Sequence, residues 1–120
     1  MKSNQEILDG LGKKVMEECF DPCIKDLHML KIKENPPMIV EKYSTLFKKM
    51  SKEDFNLLTE YIAENMGAFL FNFLRVFEEN PEYKIIYEEN DQQVDLNKIS
   101  EMLKAEPIIE NGWIERFSHH

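Results

Sequence analysis

The stretch Ser51–Phe77 constrains the fold of this chain more than any other. It opens with Ser51-Lys52-Glu53-Asp54. There a serine oxygen can accept from the unpaired N–H groups of a first helical turn, and two acids oppose the positive end of the helix dipole. It then runs Met66-Gly67-Ala68-Phe69-Leu70-Phe71-Asn72-Phe73-Leu74-Arg75-Val76-Phe77, apolar on almost every side of a helix. Such a helix needs neighbours all round. The reading is a long buried central helix over residues 52–79 with shorter helices around it. Phe69, Phe73 and Leu74 are expected to be almost fully enclosed.

The flanking segments read mainly as helices. Ser3 or Asn4 caps a first one, with Ile7, Leu8, Leu11, Val15, Cys19 and Phe20 on one face. Asp21-Pro22 marks a boundary. Beyond it Cys23, Ile24, Leu27 and Leu30 belong to a second helix or to the kinked end of the first, stopped by Asn35-Pro36-Pro37. Met38–Met50 forms a third amphipathic segment, and Asn80-Pro81 ends the central helix. Tyr83, Ile85 and Tyr87 then alternate along an extended pattern, Asn90-Asp91 breaks it, and Gln93–Leu96 can return. This is a hairpin over residues 83–96, with a short helix capped by Asn80 as its rival. Asp95 or Asn97 caps a further short helix. After Pro107 and the Asn111-Gly112 turn, Trp113, Ile114 and Phe117 share one helical face that docks on the core. The expected class is α+β, predominantly helical. At 120 residues the chain reads as a single domain, 1–120, with room for a core that needs no disulfide or metal.

Charge is unevenly placed. The net charge is -8, and residues 78–120 carry 11 acids against 4 bases, so nearly all of the excess lies in the last third. That field repels phosphate backbones, which argues against nucleic acid as a partner and suits a basic protein. Glu88, Glu89 and Asp91 are the candidate acidic contacts, with Trp113 as the aromatic anchor. A surface that only keeps the protein in solution is the competing explanation. The first residues lead into a charged amphipathic pattern, not an apolar leader. The longest uncharged run of the central helix, Asn65–Leu74, is ten residues, half of the roughly twenty a membrane span requires. A cytoplasmic protein with no membrane partner is expected.

Few residues suggest chemistry. Cys19 and Cys23 lie four apart with His28 beyond them, but a structural zinc site needs four ligands. They read as free thiols packed like small hydrophobes. His28 reads as a helix histidine, and His119-His120 carry no argument. Asn65, Asn72, Arg75 and Glu79 form a polar stripe on the central helix. Asn72 and Arg75 line a possible pocket there, or Arg75 pairs with Glu78 or Glu79. Glu17-Glu18, Glu60 with Glu64, and Glu88-Glu89 read as solvated faces. The chain holds no Gly-x-Ser-x-Gly elbow, no phosphate-binding loop and no His-Glu-x-x-His. No metal, cofactor or catalytic residue is expected.

Residues 51–118 follow an order with some character. A capped apolar helix comes first, then a strand pair, a short capped helix and the ending Asn111-Gly112-Trp113-Ile114-Glu115-Arg116-Phe117-Ser118. That order resembles a group of small bacterial proteins similar in size and acidity to the immunity proteins that neutralise polymorphic toxins. The resemblance implies a partner-binding protein and carries no site residue across. The expectation is therefore a non-catalytic protein-binding module, of immunity or regulatory type, whose acidic last third meets a basic partner. The alternatives are a small-molecule-binding protein or minor enzyme with its pocket near Asn72 and Arg75, and a structural homodimer subunit.

Overall fold

Ser3 starts the first helix through a reciprocal capping box. Its hydroxyl accepts from the Glu6 N–H at 3.1 Å, and the Glu6 carboxylate accepts from the Ser3 N–H at 3.0 Å. Helix α1 (Asn4–Val15) runs into a π-helical turn (Met16–Phe20) and on into α2 (Asp21–Ile32), which carries Pro22 in its first turn. The computed structural model, which describes residues 2–120, thus makes one helical rod of this region with a widened turn inside it. The reason lies in the spacing of the buried residues. Leu8, Gly12, Met16, Phe20 and Ile24 recur every four positions. A regular helix turns in 3.6 residues, so such a row would slip round the rod; the wider turn takes up part of that slip.

A 3-10 turn (Met38–Val40) leads into α3 (Glu41–Lys49), which is strapped to α2. The Ser44 hydroxyl donates to the Leu30 carbonyl at 2.6 Å. Lys31 Nζ donates to the carbonyls of Phe47 and Met50 at 2.8 and 2.9 Å, placing a cation on the negative end of α3.

Helix α4 (Lys52–Glu79) is the long element, and the Ser51 hydroxyl accepts from the Asp54 N–H at its start. Its 28 residues cover about 42 Å at 1.5 Å per residue, most of the 51 Å long axis of the molecule. At its N-terminal end Phe55 meets the rings of Phe47 and His28. At its C-terminal end the Asn97 amide donates to the Phe77 carbonyl at 3.0 Å, and Glu78 accepts from the Lys104 N–H at 2.9 Å.

The extended pattern after Pro81 forms the hairpin and not its helical rival. Strands β1 (Ile86–Glu89) and β2 (Gln92–Asp95) pair antiparallel, narrower than the expected 83–96. Asn90 and Asp91 both take positive φ, 51° and 65°, the pair of conformations that a two-residue type I′ turn requires. Asp95 then caps α5 (Leu96–Ile99) by accepting from the Asn97 N–H. A 3-10 turn (Leu103–Ala105) and α6 (Trp113–Phe117) bring the chain back over α1 and α4. The Trp113 ring lies so close over Gly12 that a Cβ there would sit 2.4 Å from it, and Ile108 crosses α4 at Gly67 less closely, 3.2 Å from where a Cβ would stand. Arg116 binds Asp9 at 2.9 Å. Asp21 accepts from the Ser118 hydroxyl at 2.6 Å and the His119 N–H at 3.0 Å, fixing the last residues to the rod. The core is Ile7, Leu8, Met16, Phe20, Ile24, Leu74, Leu96, Leu103 and Trp113.

The class is α+β, predominantly helical, as the sequence predicts. The enclosure of α4 is not. Phe55, Gly67 and Leu74 are its buried residues, whereas Phe69 is 65% and Phe73 49% exposed. The α1–α2 rod and the returning 103–117 segment all pack on one flank of α4, leaving the opposite flank open. The radius of gyration is accordingly 17.5 Å, against about 13.6 Å for a compact chain of this length.

Candidate protein-binding surface

The structure gathers the three acidic candidates at one place. Glu88, Glu89 and Asp91 lie on and beside the hairpin turn. Glu88 accepts from the Gln93 amide at 2.8 Å, and Glu89 accepts from the Tyr87 hydroxyl. That bond to a carboxylate holds the Tyr87 hydroxyl above its ordinary pKa. The hairpin tip is therefore a small patch of negative charge, with Glu88 and Asp91 exposed and Glu89 half-buried, at the far end of α4 from α3.

Trp113, the expected anchor, is not on any surface. It is 1% exposed and forms part of the core, because α6 turns its face onto Gly12 and the α1 backbone. The same docking that the sequence predicts for α6 thus removes its indole from contact with a partner. Asn72 and Arg75 are exposed on α4 and line none of the grooves described below. Arg75 approaches Glu79 at 3.8 Å, one of the two pairings expected for it, with both side chains largely in solvent.

The cysteines also depart from expectation. Cys19 and Cys23 are exposed free thiols, since the rod buries Phe20 and Ile24 and turns their neighbours outward. They edge an apolar groove of about 370 Å³ shared with Phe20, Met66, Phe69 and Leu70. A second groove, about 400 Å³, lies at the C-terminal end of α4 between Phe77, Tyr83, Asn97 and Leu103, where Glu78 and Lys104 face each other at 3.5 Å. His28 is exposed, with Nε2 3.4 Å from the Thr59 hydroxyl. Among the described residues no three His, Cys, Asp or Glu side chains converge on a metal-sized space. No described helix is long and apolar enough to cross a membrane.

The most distinctive surface is one that sequence reasoning assigned to the interior. Leu57, Tyr61, Phe69, Phe73 and Val76 are all exposed along α4. Phe69 and Phe73 stack with centroids 6.1 Å apart, and Phe73 meets Phe77 edge-on at 5.4 Å. A signal for it exists in the sequence. It covers only part of the stripe: the exposed Asn65, Phe69, Asn72 and Val76 follow one another at spacings of 4, 3 and 4 without a charge, while Leu58 and Ile62, which continue the series, are half-buried and Ile62 packs on the core.

The molecule is thus an elongated, predominantly helical α+β protein with an aromatic stripe along its longest helix and an acidic hairpin at one end. No protein-family model matches the chain, nor does any curated protein or solved structure.

Proposed function

We propose that the chain is a non-catalytic, cytoplasmic protein-binding module that offers α4 as its contact face and its acidic end as the guide for a basic surface. The observation that carries this reading is the exposed aromatic stripe, with Phe69 65% and Phe73 49% open to solvent. Water contact with apolar area costs about 25 cal/mol per Å², which a partner recovers on binding. Monomeric proteins seldom leave contiguous apolar patches beyond about 300–600 Å² exposed. The acids of residues 78–120 support the second half of the reading. Exposed charge of one sign speeds encounter with the opposite sign and adds little to the lifetime of the complex. An immunity or regulatory role, with a basic protein as the guided partner, is the finer form of the proposal.

The test captures a binding protein from the source cell on the tagged chain, then follows association of the purified pair at two salt concentrations. Capture is expected to disappear with Phe69→Glu/Phe73→Glu. The association rate is expected to fall as salt rises, and to fall with Glu88→Gln/Glu89→Gln/Asp91→Asn, because exposed charges are screened beyond about 8–10 Å at physiological ionic strength. Capture that ignores the two phenylalanines, or a rate that ignores both salt and the triple substitution, refutes the reading.

A further inference from the structure

We infer that the occupant of the α4 face is a second copy of this chain, with the two α4 helices packed antiparallel about a two-fold axis near Phe69. The inference rests on the protein-binding reading and names its partner.

The exposed part of the seam, Asn65, Phe69, Asn72 and Val76, supplies the geometry. Its 4-3-4 spacing keeps one line of residues toward a facing helix. Leu74 and Gly67, buried against the rest of the chain, lie on the other side of α4. A second helix reaches this line beside the groove edged by Cys19 and Cys23. The area supports it as well. Taking about 200 Å² for each aromatic side chain, Tyr61, Phe69 and Phe73 together leave about 350 Å² open. Leu57 and Val76, 66% and 45% exposed, and the exposed Asn65 and Asn72 extend this patch toward the ~800 Å² that each partner gives to an ordinary stable interface.

Charge sets the direction. Residues 21–54, which make up α2, α3 and the first turn of α4, hold seven lysines against six acids, whereas residues 78–105 at the other end hold eight acids against three lysines. Helix α4 holds these two ends apart. A parallel pair would bring the two acidic ends together; an antiparallel pair sets each acidic end beside a nearly neutral one. The axis near Phe69 follows from the polar members of the seam. It places Asn65 of one copy opposite Asn72 of the second, so each amide finds an amide instead of a phenylalanine. It also brings Arg75 beside Glu64 of the second copy, a second acid for a guanidinium whose approach to Glu79 within the chain is a long 3.8 Å.

Light scattering across a dilution series tests the pairing. The expected mass is twice 14.3 kDa. Phe69→Glu/Phe73→Glu should weaken association about a hundredfold, the effect of losing two interface anchors, while circular dichroism shows the same helix content because both side chains are exposed. Orientation is read by disulfide trapping in a Cys19→Ser/Cys23→Ser background. Mixing Asn65→Cys chains with Asn72→Cys chains should give the mixed disulfide dimer, and neither variant alone should cross-link. Cross-linking of each variant with itself overturns the antiparallel arrangement. A mass of one chain at every concentration, or a dimer that survives Phe69→Glu/Phe73→Glu, overturns the self-pairing. If the chain is a monomer yet still captures another protein through Phe69 and Phe73, the protein-binding reading stands without this partner; if both fail, both are refuted.

Discussion

Two glycines in α1 should respond to the same substitution with opposite signs. Gly10 has no heavy atom within 4 Å of where a Cβ would stand, while at Gly12 that Cβ would lie 2.4 Å from Trp113 Cδ1 and 2.5 Å from Cγ and Nε1. Helix propensity favours alanine at both positions, by about 0.8–1 kcal/mol. At Gly10 nothing opposes it, so Gly10→Ala should stabilise by about 0.5–1 kcal/mol. At Gly12 the added carbon is more than an ångström inside the ~3.5–4.0 Å contact distance of carbon atoms. Trp113 is 1% exposed and has no free volume to move into. Overpacking of this kind costs about 1–3 kcal/mol, and the overlap here belongs at the upper end. The net expectation for Gly12→Ala is a loss of about 1–2 kcal/mol after the propensity gain is subtracted. Urea unfolding followed by the fluorescence of Trp113, the sole tryptophan, gives both values, read as midpoint shifts at constant slope. If Gly12→Ala is as stable as Gly10→Ala, the ring does not lie on the helix backbone and the docking of α6 described above is wrong.

The asymmetry of α4 predicts a second contrast. Measured at high dilution, Leu74→Ala should cost about 2–5 kcal/mol as a core truncation, and Phe69→Ala under about 1 kcal/mol as a surface change; equal losses would return Phe69 to the interior. A third expectation concerns pH. Burial pushes the Glu106 carboxyl above its ordinary range, with Arg116 offsetting part of the rise and Asp9 adding to it. A raised pKa means that the folded state holds the proton more tightly, so this group's contribution is present at low pH and lost as pH rises through its folded value. Glu106→Gln should therefore raise the urea midpoint near pH 7 and do so less at about pH 4, where the carboxyl is increasingly protonated; a gain that does not shrink on acidification would contradict the assignment.

Local chemistry made most of the elements readable. Ser3, Ser51 and Asp95 cap helices through the side-chain oxygens that the sequence offers for that purpose, and Asn90-Asp91 makes the turn that two adjacent left-handed residues permit. What the sequence does not distinguish is an apolar face that packs in the chain's own core from one left open to solvent. Phe69 and Leu74 are equally apolar, and hydrophobicity alone assigns both to the interior; their positions relative to the 103–117 segment decide otherwise, and those are fixed by contacts far apart in sequence. Trp113 shows the converse. Large aromatics anchor interfaces and cores alike, and only the absence of a side chain at Gly12, across the molecule, marks it as core. That Glu88, Glu89 and Asp91 lie close together was legible because the Asn90-Asp91 turn is local.

The widened turn at Met16–Phe20 makes chain length, more than side-chain identity, the sensitive variable in that region. Glu17, Glu18 and Cys19 all face solvent, and changing any of them should be well tolerated. Adding a residue is a different matter. The wide turn already absorbs the residue by which the rod exceeds a regular helix, so losing one lets it close into α-helix with its two ends in phase, whereas one more would rotate everything beyond it by about 100°, the angle between successive helical residues. Ile24 and Leu27 would swing away from the core, and α3, strapped to α2 through Ser44 and Lys31, would be carried round with them. The molecule would then keep nearly all of its helix while losing the alignment of its two ends along α4. The turn acts as a phase setting for the whole frame, invisible to substitution and exposed by a single insertion.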